Sequence, residues 1–213
     1  MKTYLSILLI LFASSIASAK DNYEKAMQDA LDKLEAAFTV DQLQPVANQF
    51  DRIADVKNDD WLPQYHAAYA RVMMAAMEAD IDNKDAFLDA AQLHLDAVEK
   101  LEHDASERLA LQGFLHMIRM SIDPGRGMEL GMVCGSIIQQ AYDLNNQNPR
   151  AVLMLGQFQF GSAQYMGQDT SEACGLFDET LRLLDQSEHQ ARANFSPSWG
   201  RSIAEQGKQQ CAK

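Results

Sequence analysis

The chain has 213 residues, of which 18 are Lys or Arg and 30 are Asp or Glu, giving a formal net charge of −12. So acidic a surface repels phosphate backbones and anionic headgroups, and no basic cluster offsets it, which argues against nucleic acid as a partner. The length suffices for one sizeable core or one repeat array.

The N-terminus reads as a secretory signal. Lys2 gives a positive start, Leu5 to Phe12 is apolar except for Ser6, and Ala17-Ser18-Ala19 is a small-residue cleavage site. Residues 1–19 are therefore expected to be cleaved, leaving Lys20 first in a periplasmic or secreted protein. The apolar stretch is too short to span a bilayer comfortably, no cysteine follows it to carry a lipid, and no later segment approaches transmembrane length. Residues 20–213 are expected to form a single helical domain.

From Asp21 onward, apolar residues recur at three- and four-residue spacing, and helix-start chemistry marks nearly every junction. Asp21-Asn22-Tyr23-Glu24 opens the first helix, which buries Ala26, Ala30, Leu31, Leu34 and Phe38. Thr39 caps a second, with Leu43, Val46, Phe50 and Ile53. A third runs from near Trp61 to about Asp80, and Asn83 caps a fourth reaching about His103. Ser106-Glu107 opens a fifth, which ends before Asp123-Pro124-Gly125, and a sixth covers about 126 to 145. Asn148-Pro149 starts a seventh, Thr170-Ser171-Glu172 an eighth, and Ser196-Pro197 a short last one. Eight or nine helices with short connections imply an all-α fold of antiparallel pairs.

Weak self-similarity supports stacking of those pairs. Ala90, Leu93, Ala97, Val98 and Leu101 fall on Ala173, Leu176, Thr180, Leu181 and Leu184 at a constant shift. Ala173 to Phe177 and Leu155-Gly156 match the small-residue steps of tetratricopeptide helices. Further pieces are residues 61–69 (WLPQYHAAY), Ser106-Glu107 with Leu111-Gln112-Gly113-Phe114, Asn148-Pro149-Arg150-Ala151, Pro197-Ser198-Trp199-Gly200 and the terminal Cys211. As a set over residues 61–211 they resemble exported tetratricopeptide-like repeat proteins of Bacteroidetes-type bacteria. Met166-Gly167-Gln168-Asp169 departs from the glycine run of that family. The resemblance implies a short α-α superhelix without known catalytic residues, and supplies no ligand.

Local chemistry is sparse. None of His66, His94, His103, His116 and His189 forms a metal-binding helix pair, no glycine-rich phosphate loop exists, and Gly161-Ser162-Ala163 lacks a nucleophile elbow. No catalytic residue, metal or cofactor is expected. Cys134, Cys174 and Cys211 can supply one bridge, with one thiol left over. Cys134 sits in an apolar stretch, and a Cys174–Cys211 bridge would staple the tail to the last long helix. Gly127, Gly131 and Gly135 form a small-residue face expected to pack closely within the solenoid, and the methionines, including Met128 and Met132, are expected as core gap-fillers. Trp61, Tyr65 and Tyr69 recur every four residues on one helix face; core packing is one reading of them, and with Phe158 they are the candidate binding groove.

The sequence thus leads to a non-catalytic periplasmic or secreted scaffold that holds a peptide or protein partner. The alternatives are a hydrolase or metal protein whose site assembles only in the fold, and an envelope protein with no dedicated ligand.

Overall fold

The structure, a computed structural model, describes residues 21–101 and 103–212. The expected signal peptide, residues 1–19, lies outside the described residues. Among these there are nine helices and no strand: α1 (21–35), α2 (Val40–Val56), α3 (Trp61–Met77), α4 (Ile81–Glu99), α5 (Ala105–Ile122), α6 (Pro124–Leu144), α7 (Pro149–Met166), α8 (Ser171–Asn194) and α9 (Arg201–Cys211). None is long and apolar enough to cross a membrane.

Acceptor side chains at the N-termini set most boundaries. Thr39 accepts from the Gln42 amide, Asp60 from Leu62, Asp104 from Glu107 and Asn148 from Arg150. At α4 the cap is Asp80, which accepts from the Asn83 amide, so the helix starts earlier than Asn83 alone suggests. Each acceptor satisfies an amide that the helix cannot pair internally.

Adjacent helices pack as pairs: α2 on α3, α3 on α4, α5 on α6, α7 on α8 and α8 on α9. Beyond these, α3 touches α5, α5 touches α7 and α7 touches α9. This odd-numbered row places α3, α5, α7 and α9 on the inner side of the array, with the even helices outside. The main core runs from Tyr65 on α3 to Ala204 on α9, while α1 is held by a separate cluster that includes Met27, Ala30, Val46 and Phe50.

Residues 195–200 do not begin a helix, contrary to the reading of Ser196-Pro197. Phe195 closes α8 in the left-handed region at φ 57°, and Gly200 opens α9 at φ 117°. Between these two reversals the chain crosses the inner row, and the helix proper starts at Arg201. Phe195 is an unfavourable residue at positive φ. It is held there by its carbonyl, which accepts from His66 Nε2 at 2.7 Å, and by its ring, edge-on to Tyr23 at 6.2 Å. Cys174 in the first turn of α8 and Cys211 at the end of α9 are disulfide-bonded, with 5.9 Å between their Cα atoms. Cys134 is free and buried, and burial pushes its thiol up to about 12.

His66 makes folding sensitive to acid. Burial lowers its pKa from 6.5 to about 4, although its bond to Phe195 opposes the shift. The unfolded chain therefore takes up a proton that the folded chain refuses. Stability is complete above pH 6.5 and falls as pH drops toward 4, by about 3 kcal/mol in all. Denaturant titrations across that window are expected to show the loss in wild type and to show most of it removed in His66→Gln.

Candidate functional site

The structure divides the four candidate groove residues into two places. Trp61, Tyr65 and Tyr69 follow one face of α3, where Trp61 lies edge-on to Tyr65 at 5.5 Å and Tyr65 is fully buried. Trp199, delivered by the 195–200 crossing, stacks on Tyr69 at 5.1 Å and on Phe114 at 5.6 Å. Its indole Nε1 donates to the Tyr65 hydroxyl at 2.9 Å, and that hydroxyl donates to Glu107 Oε2 at 3.3 Å. Trp61 and Tyr69 keep part of their surface accessible, whereas Tyr65 presents none.

Glu107 also meets Arg150 in a buried two-pronged ion pair. Arg150 Nε donates to both carboxylate oxygens at 2.9 Å, and Nη2 donates to Oε1 at 2.5 Å. Burial alone would lower Arg150, but the Glu107 carboxylate overrides it and holds the guanidinium above its ordinary value. One turn away, Asn148 Nδ2 donates to Ser106 Oγ, which donates to the Ala141 carbonyl, both at 2.9 Å. The scattered segments around Tyr65, Ser106-Glu107, Asn148-Arg150 and Trp199 therefore converge on one buried polar network. It pins α3, α5, α6, α7 and the crossing segment together, which is a structural role.

Phe158 lies elsewhere, on the face of α7 turned to α6. A Cβ at Gly135 would come within 2.9 Å of its ring, so the two helices touch there only because residue 135 is glycine. Toward the start of α6 the contact lapses. Nothing lies within 4 Å of a Cβ built at Gly131 or Gly127, so the close solenoid packing expected of all three glycines holds only at Gly135. Met128 and Met132, on the same flank, are each 84% exposed instead of filling a core. On α7, Ser162 and Tyr165 continue the face of Phe158 at helical spacing, and Tyr165 is 92% exposed. The two helices thus meet at Gly135–Phe158 and leave an open, largely apolar flank toward the α5–α6 and α7–α8 turns. The sequence signal for it was the glycine stripe, misread because a small-residue face looks the same whether its neighbour is present or missing.

The other flank of α6 is polar. A depression of about 360 Å³ there is lined by Asp85, Asp89, Arg119, Arg126, Glu129 and Leu130. Arg126 donates to both oxygens of Asp85 at 2.7 and 2.8 Å, and Arg119 donates to Asp89 at 2.7 Å. These charges neutralise one another and tie α6 to α4 and α5.

The remaining histidines bond to neutral groups and single carboxylates. His94 sits between Asp51 and Gln64, His103 contacts the Leu101 carbonyl, and His116 contacts Gln112. The side chain of His189 lies outside the described residues. Among the described residues, no three His, Cys, Asp or Glu side chains gather where they could hold a metal ion.

The described residues form an all-α array of packed helix pairs with a filled inner face and an exposed apolar flank along α6 and α7. The HusA haemophore from Porphyromonas gingivalis shares this fold, with a TM-score of 0.79 over 89% of this chain and 92% of that one, at 23% sequence identity. No family model and no curated protein matches the chain.

Proposed function

We propose that the chain is an exported, non-catalytic binding protein of tetratricopeptide-like architecture that holds a flat apolar ligand of the tetrapyrrole class, haem included, in a cleft between α6 and α7. The observation that carries this reading is the pair of open, unpartnered apolar faces meeting at Gly135 and Phe158. Monomeric proteins rarely expose such surface without a use for it, and ligand sites are typically concave and apolar. Glycines at 127 and 131 allow a planar ring to approach the α6 backbone, and the Met128 and Met132 thioethers adapt readily to a ring face. The likeness of fold to a haemophore supports the ligand class.

The test exploits the empty space at Gly131. A leucine there meets no atom of the protein near its Cβ, so the fold accepts it while the cleft fills. In absorbance titrations with haem, Gly131→Leu and Tyr165→Ala are each expected to weaken binding at least tenfold, about 1.4 kcal/mol or more. Unchanged affinity in Gly131→Leu would exclude this cleft. A peptide held on the inner face through Trp61 and Tyr69, with Tyr65 beneath them, is the second reading, which the repeat resemblance favours. Such a ligand must displace the 195–200 crossing, so its amide shifts would fall there and not along α6 and α7.

A further inference from the structure

We infer that the cleft recognises the ring of its ligand and leaves the ligand's acid groups in solvent, so that it discriminates against anionic tetrapyrroles at low ionic strength. This rests on the tetrapyrrole reading above and asks how such a ligand sits.

The reason is a local absence of charge with an acidic border. Residues 151–166 of α7 contain no Asp, Glu, Lys or Arg, and neither do residues 130–142 of α6. The cations of the two helices are committed elsewhere: Arg126 is bidentate to Asp85, and Arg150 is buried against Glu107. The charges that follow along the chain are acidic. Asp123 caps the start of α6 and Asp169 lies just beyond Tyr165, whereas Glu129 belongs to the opposite, polar flank of α6. The Ser171 hydroxyl and amide both donate to the Asp169 carboxylate and hold it ionised at neutral pH.

A porphyrin carrying two carboxylates gains nothing from ion pairing in such a cleft. Its acid groups keep their hydration only by projecting outward, where they meet the field of an acidic protein. Salt screens that field, with a Debye length of about 10 Å at 0.1 M. Affinity for a dicarboxylate porphyrin is therefore expected to rise with salt, opposite to the trend of a site that uses lysine or arginine to grip the acid groups.

The experiment titrates the mature protein with a dicarboxylate porphyrin at about 20 mM and about 500 mM NaCl, conditions that span weak and strong screening. Nile red, a flat uncharged dye, is titrated in parallel to measure any general salting-out. Relative to the dye, the porphyrin is expected to bind about threefold tighter at high salt. Met128→Lys, which sets a cation on the exposed edge of the cleft, is expected to reverse the porphyrin trend and leave the dye trend as it was. Porphyrin affinity that is flat or falls with salt in wild type overturns the inference while leaving the cleft as a tetrapyrrole site. If the porphyrin fails to bind at either salt concentration, the underlying reading fails and the inference with it.

Discussion

Replacing Arg150 by methionine is expected to destabilise the protein by about 3–5 kcal/mol, measured by denaturant unfolding at neutral pH. Glu107 is nearly inaccessible, and its charge is compensated by Arg150 along three hydrogen bonds, with a longer one from Tyr65. Without the guanidinium that carboxylate is left charged in an apolar interior, or must take up a proton. Burial already pulls the Glu107 carboxyl upward, with Arg150 opposing, so removing Arg150 raises it further. A carboxyl whose folded pKa exceeds its unfolded value favours folding below the unfolded value, and that contribution is lost as pH rises through the folded one. The variant is thus expected to regain stability on mild acidification, after allowance for His66. The double replacement Glu107→Met with Arg150→Met is expected to recover most of the loss, because a buried pair contributes little net stability over well-packed apolar groups. If Arg150→Met alone unfolds no more easily than wild type, the pair is not the central pin described above.

Trp199→Ala is the second large effect, again about 3–5 kcal/mol. The indole fills the space between Tyr69 and Phe114, and its Nε1 donates to Tyr65. Truncation leaves a cavity lined by aromatic rings and a buried tyrosine hydroxyl without its donor. For a domain of this size the melting temperature is expected to fall by about 10 °C or more. Trp199→Phe keeps most of the stacking area and loses only the hydrogen bond, so its cost is expected to be about 1–2 kcal/mol. Hydrogen exchange adds a spatial check: faster exchange in Trp199→Ala should centre on residues 195–211 and the adjoining turns of α3 and α5. A uniform increase over all nine helices would mean that the crossing segment is not a local plug.

Binding at the proposed α6–α7 site is expected to respond differently to these substitutions. Neither Arg150 nor Trp199 borders the cleft between α6 and α7, so ligand affinity in the folded fraction is expected to stay close to wild type for both. Stability and binding therefore separate by residue. The polar network holds the array together, whereas the outer edge of α6 and α7 carries the proposed ligand.

How much of this was legible beforehand depended on the range of the interactions involved. Helix starts at Thr39, Trp61 and Pro149 follow from side chains within three residues of the amides they satisfy, so local sequence suffices for them. The all-α class and the pairing of neighbouring helices follow from apolar spacing and short connections. The close approach of α7 and α8 was also visible, in Gly156, where a Cβ would meet Leu176 at 3.1 Å.

The tertiary structure alone decided everything that depends on distant residues. Tyr65 and Trp199 are 134 positions apart, and no local pattern says that one donates to the other. The segment at 195–200 could not be recognised as a core crossing, because its two left-handed residues depend on other helices: Phe195 is held by His66 and Tyr23, and a Cβ at residue 200 would come 2.9 Å from Leu153. The pairing of Cys174 with Cys211 likewise depends on α8 and α9 lying side by side. The α6–α7 flank is the sharpest case. Gly127, Gly131 and Gly135 have the same identity and spacing, and only the course of α7 determines that the last is covered by Phe158 while the first two stay open. Periodicity specifies which face of a helix is apolar or small. What covers that face is a property of the packed array.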